Sequence, residues 1–162
     1  MKTKDLSFIA LFAALIAAGA FIRVPIPVVP FTLQFLFTTL AGLLLGGRKG
    51  AVSVIVYIAI GLAGLPIFSE GGGIFYVFNP TFGYLIGFAV GAYVTGKITE
   101  SAPAPSLKRI LVGCFAGLMI VYAFGMIYYW AICKFYVNSP IGVGALFLYC
   151  FVLAVPGDIF LC

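Results

Sequence analysis

Histidine is absent from this chain, and only four of its 162 residues are acidic. The first absence removes the commonest general base and metal ligand. The second leaves Asp5, Glu70, Glu100 and Asp158 as the whole stock of carboxylates. Asp5 and Glu100 flank apolar stretches, while Glu70 and Asp158 have neither a paired base nor metal-ligand spacing, so no metal site is expected. A serine or cysteine nucleophile would lack the base that activates it, and the chain is therefore not read as an enzyme. Charge of either sign is scarce, at 8% of residues against about 25% in soluble domains. Hydrophobic residues make up 64% and mean hydropathy is +1.25, which points to an integral membrane protein. The four cysteines, at 114, 133, 150 and 162, form no CxxC pair and read as free thiols acting as small hydrophobes. A phosphate-binding loop is narrowly missed. Gly42 and Gly47 have the right separation, but Arg48 stands where the lysine belongs and no Ser or Thr follows Lys49.

The cations that are present are unevenly placed. Lys2 and Lys4 precede the first apolar stretch, Arg48 and Lys49 divide the second from the third, and Lys97, Lys108 and Arg109 divide the fourth from the fifth. The alternate gaps hold only Arg23 and Lys134. Cytoplasmic loops carry the Lys/Arg excess, so this alternation predicts a multi-pass protein with its N-terminus inside and the loops at 23–31 and 65–79 outside. The same distribution accounts for the net charge of +5 without invoking nucleic acid.

A single all-α membrane domain over 1–162 is expected, with helices near 6–22, 32–46, 51–64, 80–98, 107–132 and 142–155. The first is not read as a cleaved signal, because it is long enough to span. It carries two rows of alanines spaced by four, Ala10-Ala14-Ala18 and Ala13-Ala17, read as one strip on which a second helix packs closely, from another protein or from the same chain. Pro25, Pro27 and Pro30 exclude regular helix from the first outer loop, and Gly46–Gly50 reads as a tight basic inner turn. The second outer loop is unusual. It joins Glu70, three glycines at 71–73 and the aromatics Phe75, Tyr76 and Phe78 to Asn79-Pro80-Thr81, a composition that favours a binding wall over a plain flexible loop. The fourth helix has a GxxxGxxxG row, Gly83-Gly87-Gly91, which predicts close helix contact inside the bundle. Tyr122, Tyr128, Tyr129 and Trp130 read as including an outer-interface aromatic belt. Asp158 follows a Pro-Gly break at membrane depth, where a carboxylate is costly unless it caps a helix or contacts a ligand.

In sequence order, VPIPVVPFTLQFLFTTLAGLLLGGRKGAVSVIVYIAIGLAGLPIF, GGG, NPTFGYLIGFAVGAYVTG and VPGDIF resemble the BioY family, the biotin-specific S components of energy-coupling factor (ECF) transporters. The likeness covers nearly the whole chain. It implies a bundle of six membrane helices in a bacterial or archaeal cell membrane, and biotin as transported ligand with no cofactor. A transmembrane coupling subunit and two ATP-binding subunits would be the partners. By the same likeness Asn79 and Asp158 would hydrogen-bond the ureido ring, which offers two N–H donors and one carbonyl. Tyr84, Phe75 and Tyr76 would pack on the fused rings, and Pro30, Phe31, Thr32 and Gln34 would close the pocket. Ala10, Ala14 and Ala18 would dock on the coupling subunit. Leu161 stands where family members commonly carry a lysine, and the chain ends at Cys162 where they continue into a last helix, so that helix is expected to be missing or truncated. The expected function is high-affinity biotin uptake. The alternatives are an S component for another heterocyclic vitamin and a membrane scaffold.

Overall fold

A computed structural model describes residues 3–24, 31–101, 103–138, 142–152 and 154–161. The elements are α1 (Thr3–Phe21), a two-residue antiparallel ladder of β1 (Arg23–Val24) and β2 (Phe31–Thr32), α2 (Gln34–Leu45), α3 (Gly47–Leu62), a 3₁₀ turn (Ile74–Phe78), α4 (Phe82–Glu100), α5 (Leu107–Phe135), α6 (Val143–Phe147), a π turn (Leu148–Val152) and α7 (Val155–Leu161). Helices α1 and α5 are each long and apolar enough to cross a membrane unaided. With 12 residues, α2 extends only about 18 Å, short of the ~30 Å hydrocarbon core.

Short connections join α2 to α3 and α4 to α5, the longer 63–81 segment joins α3 to α4, and α4 packs on α2, α3 and α5. Glycine permits these contacts. A Cβ on Gly83 would lie 2.2 Å from the Tyr128 Cβ, and one on Gly87 would lie 2.8 Å from the Val121 Cα. The GxxxGxxxG row is thus the seam between α4 and α5, as its spacing predicts. At the basic end α2, α3 and α4 meet just as closely. A Cβ on Gly42 would stand 2.5 Å from the Ala92 carbonyl oxygen, and one on Gly96 would stand 2.3 Å from the Gly47 nitrogen.

Three sequence expectations change here. The Gly46–Gly50 segment is not a turn throughout: only Gly46 takes a left-handed φ of +82°, and α3 begins at Gly47. The carboxylate of Glu100 accepts from the Gly47 N–H at 3.0 Å and also pairs with Lys97. The anion that satisfies this glycine-rich helix start is therefore the chain's own. The two alanine rows of α1 diverge. Ala13 is buried and Ala17 packs against the core, whereas Ala10, Ala14 and Ala18 are exposed. Finally, the run expected as one helix over 142–155 is helical across its described residues but changes pitch, from α6 through the π-helical Leu148–Val152 to α7, with Pro156 near the start of α7.

Candidate functional site

At the end of the bundle away from most of the cations, the 63–81 connection is folded into a cap. Phe68 is 2% exposed and packs between Tyr57 and Tyr76, with ring centroids 5.5 and 4.5 Å away. The Gly73 N–H donates to the Gly61 carbonyl at 2.8 Å, and the Tyr57 hydroxyl donates to the Ile67 carbonyl at 2.9 Å. Tyr128 and Arg23 bind the Val77 and Ser69 carbonyls. An aromatic plug and backbone hydrogen bonds make this connection an ordered structure.

Beneath the cap lies a cavity walled by the start of α2 and by α4, α5 and α7. It is partly open to solvent, with about 50 Å³ of free space and about 570 Å³ of unfilled volume in all, open solvent included. Thr32, Gln34, Ser69, Tyr76 and Thr81 line the cap side; Tyr84, Tyr122 and Asp158 line the deep side, among Phe35, Leu85 and Phe88. The deep side holds the unusual chemistry. Asp158 is 7% exposed, and its Oδ2 accepts from the Tyr122 hydroxyl. Its Oδ1 is buried without a hydrogen-bond partner among the described residues, and so is the Tyr84 hydroxyl. The Cys150 thiol adjoins that hydroxyl without a hydrogen bond of ordinary geometry. Tyr84 and Tyr122 meet edge to face at 5.9 Å. A buried polar atom without a partner costs about 1–3 kcal/mol, so two on one cavity wall mark places where an incoming polar group would be stabilised.

Of the sequence-predicted residues, the structure brings Asp158, Tyr84, Tyr76, Thr32 and Gln34 to this cavity. Gln34 donates to the Tyr57 hydroxyl at 2.7 Å and accepts from Thr32 at 3.3 Å, so it also joins α2 to α3. Burial pushes the Tyr76 phenol above its ordinary pKa, which keeps it neutral and able to donate. Asn79 is not among the lining residues. Its Oδ1 accepts from the Thr81 N–H and hydroxyl at 2.9 and 2.7 Å, and its Nδ2 donates to Glu70 at 2.9 Å. It shapes the entry to α4 and reaches the cavity through Thr81. Phe75 is 82% exposed, because a 3₁₀ turn places Phe75 and Phe78 on one side and Tyr76 on the other. The expected aromatic wall is thus Tyr76 alone from that run. Pro30 and the side chain of Phe31 lie outside the described residues. Sequence reasoning missed Ser69, Thr81 and Tyr122. Tyr122 in particular is 3% exposed and partners Asp158, so it does not belong to the interfacial belt, whereas exposed Trp130 stacks under Lys134 at 4.6 Å.

An apolar helical bundle that shelters an unsatisfied acid and tyrosine beneath an ordered cap defines a membrane-embedded ligand-holding protein of the S-component fold. A crystal structure of the S-component for biotin from an ECF-type ABC transporter matches it with a TM-score of 0.77 and 28% identity, over 99% of this chain and 88% of that one. The sequence profile of the BioY family matches residues 1–162, and the chain belongs to that family. The probable biotin transporter BioY of Lysinibacillus sphaericus is 48% identical over 157 residues, 97% of this chain and 80% of that protein. The biotin transporter BioY of Thermotoga maritima is 40% identical over 130 residues, 80% of this chain and 73% of that protein.

Proposed function

We propose that this chain is the substrate-binding S component of an ECF-type biotin importer in the cell membrane, with its N-terminus in the cytoplasm. The observation that carries the proposal is the pair of buried oxygens without a hydrogen-bond partner among the described residues on one cavity wall, Asp158 Oδ1 and Tyr84 Oη. A cyclic urea presents two N–H donors, which a carboxylate accepts, and a carbonyl, which a phenol or amide satisfies. Asn79 Nδ2 carries two hydrogens and Glu70 takes one; the second serves the ureido carbonyl only if the Asn79 side chain turns from the cap toward the ligand. Tyr76, Tyr84 and Phe88 supply the apolar walls, and Thr32 and Gln34 close the α2 side. The chain encodes no nucleotide motif, so ATP hydrolysis falls to two partner subunits. Exposed Ala10, Ala14 and Ala18 present a flat strip on which a transmembrane coupling helix packs closely.

Equilibrium binding of labelled biotin to the detergent-purified chain tests the ligand. Saturable binding at micromolar concentration or tighter is expected, and Asp158→Ala and Asn79→Ala should each weaken it at least tenfold. No saturable binding by the folded chain would end the proposal. Docking is tested separately by Ala14→Trp, which should abolish capture of the ATPase-containing complex while biotin affinity stays within about twofold. Undiminished capture would remove the strip from the interface.

A further inference from the structure

A second cleft lies at the opposite, basic end, between α1 and the corner where α2 meets α3. It holds about 500 Å³ and shares no residue with the ligand cavity. Its rim carries Lys4, Asp5 and Lys49, and its floor is formed by Phe8, Phe12 and Leu44. Lys49 and Asp5 pair at 2.7 Å, while Lys4 is in no ion pair among the described residues. Among the described lining residues, two ammonium groups stand against one carboxylate, an excess of one cation. Lys4, Phe8 and Phe12 follow one another at i, i+4 along a single face of α1. That row descends about 12 Å from a charged head position past the exposed Phe8 ring to the buried Phe12 ring. On the facing helix Leu44 is 71% exposed, as a side chain meeting an acyl chain would be. One positive charge at the membrane surface above an apolar channel matches one molecular shape: a monoanionic phosphodiester with hydrocarbon tails.

We propose that this cleft is a binding site for an anionic glycerophospholipid, with Lys4 and Lys49 on the phosphodiester and an acyl chain along Phe8, Phe12 and Leu44. The inference needs only that the bundle is embedded in lipid and is independent of which vitamin the other cavity takes.

Native mass spectrometry of the full chain released from detergent, with dioleoyl phosphatidylglycerol or dioleoyl phosphatidylcholine added, reads the site directly. One phosphatidylglycerol is expected to be retained in preference to phosphatidylcholine. Lys4→Gln should weaken its retention about fivefold, as one lysine at an anionic surface does. Lys4→Gln combined with Lys49→Gln should weaken it at least tenfold, with phosphatidylcholine unaffected. Lys4→Arg, which keeps the charge, should behave as wild type. Size-exclusion elution as a single unaltered peak identifies folded variants, and Lys4→Gln alone breaks no ion pair among the described residues and so gives a reading even if the double variant misfolds. Equal retention of the two lipids would overturn the proposal, as would unchanged phosphatidylglycerol retention in Lys4→Gln. Displacement by millimolar glycerol 3-phosphate would reduce the site to a headgroup-only contact and overturn the acyl channel. Loss of the co-purified ATPase complex in Lys4→Gln with lipid retention intact would assign the cleft to a protein partner instead.

Discussion

Replacing Asp158 and Tyr122 together by apolar residues separates what the buried acid does for the fold from what it does for the ligand. In the wild type one carboxylate oxygen is satisfied by Tyr122 and the other has no partner among the described residues. Leaving that oxygen unpaired costs about 1–3 kcal/mol. Asp158→Leu removes the cost but strands the Tyr122 hydroxyl, at a comparable penalty, so the single variant should melt near the wild type. Adding Tyr122→Phe deletes the stranded group, and apolar replacement of both partners of a buried polar pair is commonly neutral or stabilising. Leucine is bulkier than aspartate, but the adjoining void of about 50 Å³ accepts most of the added volume, which limits overpacking. The double variant should therefore melt at or above wild type, by up to about 5 °C given roughly 2–4 °C per kcal/mol for a chain of this size. Its biotin affinity should collapse. Losing hydrogen bonds to a charged acceptor, at about 1.5–3 kcal/mol each, amounts to at least a hundredfold for two. Tyr122→Phe alone should melt lowest, because it leaves the whole carboxylate buried and unpaired. Differential scanning fluorimetry and equilibrium binding on the same preparations measure both quantities. A double variant that melts several degrees below wild type, or binds biotin within tenfold of it, would refute the reasoning.

Two further substitutions address the α4–α5 seam. A Cβ on Gly125 would sit 2.4 Å from the Tyr84 ring, so Gly125→Ala should displace that ring and weaken biotin binding about tenfold or more. Gly144→Ala, where a Cβ meets nothing within 4 Å, should leave binding unchanged in the same titration. At Gly87 the obstacle is the α5 backbone at Val121, so Gly87→Ala must push the helices apart. It should cost about 1–3 kcal/mol, visible as a fall of several degrees in the melting temperature, and an unchanged melting curve would contradict the close approach.

How far the sequence reached depended on how local each signal was. Long apolar runs, alternating cations and the Gly83-Gly87-Gly91 row are one-dimensional patterns, and the bundle with its α4–α5 seam followed from them. Gly46 and Gly47 were indistinguishable as letters, since only contact with α4 makes one a left-handed break and the other a helix start. Asp158 was conspicuous because a carboxylate in apolar sequence is costly wherever it lies. Its partner Tyr122, 36 residues earlier, was hidden among tyrosines that interface preference explains equally well. Phe75 and Tyr76 shared one composition argument, and only the 3₁₀ turn sends one outward and the other to the cavity. The alanines of α1 divided in the same manner: spacing by four defines rows, while the position of the core decides which row remains outside.

The tightness of the chamber beneath the cap carries a kinetic consequence. Sites for ligands of this kind commonly measure about 300–1,000 Å³, whereas the free space in this one is about 50 Å³. A vitamin-sized ligand therefore needs more room than this arrangement offers, and the cavity walls or the cap tethered by Arg23 and Tyr128 have to shift to make it. Where that shift precedes binding, the observed loading rate is expected to level off as external vitamin rises, with the ceiling set by how often the protein opens.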